Sequence, residues 1–165
     1  MPSKVKPVPD GYHTVSPYLC VNDAERAIQY YQKAFGAKET MRMHGPQGKI
    51  AHAELKIGDS VIMLADEMPQ SGLRSPQALG GTTSSIFLYV NDVDHTYDQA
   101  VAAGARADMP PQDMFWGDRY GKLTDPFGHS WALATHKEDV APAEMERRGK
   151  EAMAKMAQQH QHAQG

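Results

Sequence analysis

The apolar positions of this chain follow two rhythms. Between Asp23 and Gly36, the residues Ala27, Ile28, Tyr31, Ala34 and Phe35 recur at helical spacing and gather on one helix face. Asn22 or Asp23 is placed to cap that helix at its N-terminus, and Gly36 to end it as the C′ residue. Residues 14–20 ahead of it read as a strand. Strand-like runs follow at 38–44, 49–57 and 60–66, the last two joined by the tight turn Gly58-Asp59. Residues 13–66 therefore read βαβββ.

The same order then returns. Val21-Asn22-Asp23 recurs as Val90-Asn91-Asp92, 69 residues on, and Gly36-Ala37 as Gly104-Ala105, 68 residues on. Module two, 83–136, reads as strand 83–90, helix 92–103, strand 105–109, a break at Pro110-Pro111, and strands 119–125 and 129–135. The turn Asp125-Pro126-Phe127-Gly128 has Pro and Gly where type I geometry wants them. Residues 67–82, with Pro69, Gly72, Pro76, Gly80 and Gly81, form a linker able to cover a pocket. Two copies are too few for a solenoid, so the expected arrangement is two halves facing one another across a pseudo-twofold groove.

The ends read differently. Residues 1–12, rich in Pro and Lys, form a flexible arm. Residues 137–165 form a helix from Pro142 at its first position to about residue 157, then a disordered tail.

Composition narrows the function classes. With 165 residues, 41% hydrophobic and 22% charged, the chain can bury one sizeable core. Seventeen basic against 20 acidic residues, net −3, leave no basic stripe with interleaved aromatics, so nucleic acid is not expected as a partner. No apolar run reaches the roughly 20 residues a membrane helix needs, and Met1 to Pro7 lacks a signal-peptide core; a cytoplasmic location is the expectation. Cys20, the lone cysteine, reads as a small core residue.

The paired βαβββ modules, the two Val-Asn-Asp helix starts and the turn Asp125-Pro126-Phe127-Gly128-His129 resemble the vicinal oxygen chelate superfamily, which holds glyoxalase I, bleomycin-resistance proteins and extradiol dioxygenases. Pro17-Tyr18-Leu19, Phe35-Gly36-Ala37, His52-Ala53-Glu54-Leu55, the segment Phe115-Trp116-Gly117-Asp118-Arg119-Tyr120-Gly121 and Ala134-Thr135-His136 with Glu138-Asp139-Val140 are similar to its PhnB-like branch. The resemblance spans 13–136. It implies an α+β fold in which the modules form a U-shaped mixed sheet of eight strands around a groove, and a homodimer.

In the metal-dependent members of that superfamily, ligands come from the first and fourth strands of each module, typically two His or Gln and two Glu. The matching positions here are Ser16, Ser85, Met63 and Ala132. Hydroxyl, thioether and methyl groups are poor ligands or none, so no metal and no cofactor is expected. His52 and Glu54 alternate onto one strand face and could begin a substitute site with Asp66 or His13; they could equally be a hydrogen-bonded pair or a solvated face. His160 and His162 could capture metal adventitiously.

Strand alternation puts Ser16, Tyr18 and Cys20 on one face, and Ser85, Phe87 and Tyr89 on the matching face of the repeat. Tyr18, Phe87 and Met63 would line a groove suited to a medium-sized organic ligand. Trp116 and Tyr120 could stack on a flat ligand while Arg119 neutralises its acidic group, or the same rings could fill the core of an ordinary hairpin.

Three functions follow as expectations. One is a metal-free binding module that sequesters an aromatic or hydrophobic small molecule. A second is a glyoxalase-like lyase, isomerase or dioxygenase that works through a non-standard metal site or His52/Glu54 acid–base chemistry. The third is an interaction protein whose C-terminal helix is the working surface.

Overall fold

The structure, a computed structural model, describes residues 5–162, with the side chains of His160, Gln161 and His162 outside the described residues. Module one is β1 (Tyr18–Val21), α1 (Ala24–Phe35), β2 (Lys38–His44), β3 (Ile50–Ile57) and β4 (Ser60–Asp66). A single-turn helix, α2 (Pro76–Leu79), lies in the linker. Module two is β5 (Ser85–Tyr89), α3 (Val93–Ala102), β6 (Arg106–Asp113), β7 (Asp118–Thr124) and β8 (Ser130–His136), and α4 (Pro142–His162) follows. The α+β class and the two βαβββ modules are as the sequence predicts.

Each module makes one mixed sheet of four strands, in the orders β1-β4-β3-β2 and β5-β8-β7-β6. The first strand of each pairs parallel with the fourth, and the other pairings are antiparallel. The helix starts obey the capping rule: Asp23 accepts from Arg26 N–H at 3.1 Å and Asp92 from His95 N–H at 3.0 Å. Asp66 at the end of β4 accepts from Ala24 N–H at the start of α1, and Thr135 near the end of β8 accepts from Val93 N–H at the start of α3. Helix and parallel strand pair are thus locked in the same way twice.

Several elements differ from the sequence reading, among them β1, which begins at Tyr18 rather than near residue 14. β6 runs straight through Pro110 and Pro111, because it is an edge strand and its register with β7 shifts between Met109 and Gln112, so the missing N–H groups interrupt no ladder. α4 continues to His162, past the expected end near 157. Among the described residues no helix is long and apolar enough to cross a membrane.

The modules meet through their helices. α1 touches β2, β3 and β4 on one side and α3 on the other, while α3 touches β6, β7 and β8. Tyr30 Oη donates to Ala100 O at 3.3 Å, and Gln99 Nε2 to Lys33 O and Ala34 O at 2.8 and 3.1 Å. Leu19, Ile28, Tyr31, Leu55 and Leu64 of module one and Leu123, Phe127, Trp131 and Leu133 of module two form one buried core. With both helices between the sheets, the face of each sheet turned away from its helix is left open.

Candidate functional site

On the open face of the first sheet, strand register aligns Met41, Glu54, Met63 and Tyr18 in one row across β2, β3, β4 and β1. His52 stands two residues before Glu54, opposite Met43. Tyr18 is 47% exposed, and Met41 and Met43 are also exposed, whereas Glu54 is only 5% exposed. This buried carboxylate anchors a chain of four side chains. Tyr12 Oη donates to Glu54 Oε2, His52 Nε2 lies 3.1 Å from Glu54 Oε1, and His52 Nδ1 lies 3.2 Å from Tyr18 Oη. The Tyr12 hydrogen bond, reinforced by that of His52, outweighs burial and holds the Glu54 carboxyl below the usual carboxylate range. Burial pushes the Tyr18 hydroxyl up, so it is a neutral phenol at neutral pH.

Tyr18 also lines a cavity of about 540 Å³ with Cys20, Arg74, Pro76 and Leu79. The linker therefore does border a cavity. Cys20 is half-buried here rather than a full core residue, and burial raises its thiol.

The second sheet presents rings. Phe87, 48% exposed, lies 5.0 Å from Tyr89 and 5.8 Å from Tyr120 between ring centroids. Tyr120 in turn meets Trp116 at 5.5 Å, and Trp116 meets Phe115 at 5.1 Å. Trp116 and Tyr120 thus join an aromatic row on the open face instead of filling a hairpin core. Phe87 and Lys122 flank Ala132 in the row that matches Tyr18, Met63 and Glu54 of the other module. Ser85 is engaged with Ser130, its Oγ donating to the Ser130 carbonyl at 3.3 Å.

Arg119 does not join these rings. Alternation along β7 turns it the other way, where Asp94 holds it at 2.6 and 2.8 Å and Asp113 at 3.3 Å, so its charge is already balanced by carboxylates. The end of the ring row instead carries a carboxylate–histidine pair absent from the sequence reading. Asp118, 4% exposed, accepts from Tyr89 Oη and Trp116 Nε1, each at 3.1 Å, and lies 2.7 Å from His136 Nδ1. Asp118, and then Asp139 at 2.9 Å from Nε2, raise the His136 imidazole above its ordinary range.

The donor set does not fit a catalytic metal. Half-buried Ser16, hydrogen-bonded Ser85, Met63 and Ala132 occupy the positions that the superfamily's ligands would take. Asp66 cannot complete a site with His52 and Glu54, because its oxygens accept from Ala24 N–H at 2.9 Å and Ile50 N–H at 2.7 Å; His13 is exposed. Among the described residues no group of three His, Cys, Asp or Glu side chains converges as a metal would need.

Tyr12 escaped the sequence reading, and Asp118 and His136 stood in it only as parts of family-like motifs, not as site residues. Tyr12 lies outside every periodic element, and Asp118 and His136 stand at the ends of strands whose register alone makes them opposite.

A duplicated βαβββ fold with open apolar sheet faces defines a protein of the vicinal oxygen chelate type. The profile of the Glyoxalase/Bleomycin resistance protein/Dioxygenase superfamily matches residues 12–133, and the chain belongs to that superfamily. An uncharacterized protein of Mycobacterium bovis is 46% identical over 129 residues, which are 76% of this chain and 85% of the relative. The crystal structure of TioX from Micromonospora sp. ML1 superposes with a TM-score of 0.61 at 28% identity, covering 75% of this chain and 98% of that one. A PhnB protein from Bacillus cereus shares the fold, with a TM-score of 0.58 at 18% identity over 74% of this chain and 99% of its own.

Proposed function

We propose that this is a metal-free, cytoplasmic small-molecule-binding protein of the glyoxalase/bleomycin-resistance type, which sequesters an aromatic or hydrophobic ligand on its open sheet faces as a homodimer. The observation that carries the reading is the exposure of Tyr18, Met41 and Met43 on one face and Phe87 and Tyr89 on the other. Exposed apolar side chains gathered on a sheet face suit a binding site. Methionines adapt to irregular ligand shapes, and rings supply flat stacking surface. Affinity would come from burial at roughly 25 cal/mol per Å² of apolar area, less the costs of association.

The dimer completes the pocket. Within one chain the helices pack between the two sheets, and a second chain would supply a wall facing each open face. β1 and β5 are edge strands with unpaired outer edges, which suits the joining of the first sheet of one chain to the second sheet of another. The metal-free part rests on the mismatch of Ser16, Met63, Ser85 and Ala132 to metal ligation.

The test is calorimetric titration of tag-free protein with 4-nitroanisole, a flat neutral probe, after dialysis against EDTA and after incubation with nickel, zinc, manganese or ferrous iron. Equal saturable binding in all samples is expected, weakened about fivefold in Phe87→Ala from the lost ring contact. Binding that requires a metal, or no saturation, overturns the reading; light scattering at the same concentrations reads the dimer.

A further inference from the structure

We propose that the chain Tyr12, Glu54, His52 and Tyr18 makes the first open face a receptor for a ring bearing an acidic hydroxyl, a phenol or an enol, and that the bound hydroxyl passes its proton to His52 through Tyr18. The inference rests on the small-molecule-binding reading above and names the chemistry of the ligand.

Hydrogen-bond logic sets the direction of the chain. Glu54 is ionised at neutral pH, because Tyr12 and His52 favour its charged form, and an ionised carboxylate can only accept. His52 Nε2, 3.1 Å from Glu54 Oε1, therefore carries the ring proton. That leaves a lone pair on Nδ1, 3.2 Å from Tyr18 Oη, so the Tyr18 hydroxyl donates to Nδ1. With its hydrogen committed to His52, the exposed Tyr18 oxygen offers its own lone pairs to whatever settles on the face. A hydroxyl that can donate is the complement of that oxygen.

The proton count closes. The ligand O–H bond breaks and its proton bonds to Tyr18 Oη, while the proton of Tyr18 moves to His52 Nδ1. The products are a ligand oxyanion, a neutral Tyr18 and an imidazolium between Tyr18 and the Glu54 carboxylate. The Glu54 carboxylate lies 3.1 Å from Nε2, on the other side of the ring from the nitrogen that receives the proton, and is itself 5% exposed. Tyr12 and Glu54 are positioning residues: they touch no ligand and act by fixing the tautomer and orientation of His52. Met41 and Met63 stand in the same row, Met43 stands opposite His52 beside it, and the three supply soft apolar contact for the ring.

The experiment compares 4-nitrophenol, whose ionised form is yellow, with 4-nitroanisole, the same ring with its hydroxyl blocked. Wild-type protein should bind the phenol more tightly than the ether and lower the pH at which the bound dye turns yellow by about one unit, a tenfold change in its ionisation equilibrium. His52→Gln and Tyr18→Phe should bind the dye with the midpoint it has in water. Tyr12→Phe should fall between, with near-ultraviolet circular dichroism confirming that each variant is folded. If the ether binds as well as the phenol, or the midpoint stays as in water, or His52→Gln keeps the shift, the proton transfer is overturned while ring binding stands. If neither probe binds, both readings fall.

Discussion

Tyr31 on α1 donates its hydroxyl hydrogen to Asp125 Oδ2 at 2.7 Å across 94 residues of sequence, and so ties the first module's helix to the second module's last turn. The same carboxylate accepts from Trp131 Nε1 at 2.9 Å and from the backbone N–H groups of Phe127 and His129. Burial above all, and then Asp125, keep the Tyr31 hydroxyl protonated and donating. Both residues are buried, so no water replaces a hydrogen bond lost between them. Tyr31→Phe should lower unfolding free energy by about 1–3 kcal/mol, and Asp125→Ala by more, since it orphans four donors at once. Urea denaturation reads both; no loss in Tyr31→Phe would show that the modules are held together without this bond.

Gly117 governs the docking of α4. Its φ of 99° is a left-handed-side value, and a Cβ there would fall 2.2 Å from Glu138 O and 3.0 Å from Val140 Cγ2. Its carbonyl accepts from Lys137 N–H and Glu138 N–H at 2.9 and 3.0 Å, and Gly149 of α4 lies over the Phe115 ring of the same turn. Gly117→Ala should therefore displace segment 137–140 and loosen α4, at a cost of about 1–3 kcal/mol. Limited proteolysis should cut the variant between β8 and α4 while the two sheets stay protected. An unchanged cleavage pattern would mean that α4 docks independently of this turn.

His136 makes stability depend on pH in a definite direction. Asp118, and secondarily Asp139, raise the imidazole above its ordinary value of 6.5, so the fold favours the charged ring. Its contribution is fully present below about pH 6.5 and is lost as pH rises through the raised folded value. The stability difference between wild type and His136→Gln should be largest in mild acid, shrink towards alkaline pH, and weaken with added salt because the ring is half-exposed. Urea midpoints from about pH 5 to about pH 9 test this; a difference that grows with pH would refute the assignment.

Local signals carried the modules. The helical spacing of Ala27, Ile28, Tyr31, Ala34 and Phe35, the cap offered by Asn22 or Asp23 and the Gly58-Asp59 turn each depend on a few neighbouring residues; helix and turn formed where the pattern put them, and Asp23 took the cap. Pro110 and Pro111 misled because a proline's effect depends on its strand's place in the sheet, which a local window does not contain. Side-chain alternation correctly gave Tyr18 and Phe87 open faces, yet for Arg119 the residue type suggested a ligand contact while alternation had already turned it towards Asp94.

By itself, then, the sequence determined the duplication, the order of elements and which residues share a strand face, all properties of short-range periodicity and capping. Only the tertiary structure decided the partners: Tyr12 on Glu54 across 42 residues, His136 on Asp118 across 18, and Tyr31 on Asp125 across 94. It also placed the helices between the sheets, leaving both sheet faces open. Such pairings follow from strand register and helix packing, where one residue of slip would turn every side chain to the other face. They are therefore settled by the cooperative packing of the whole core rather than by any segment of it.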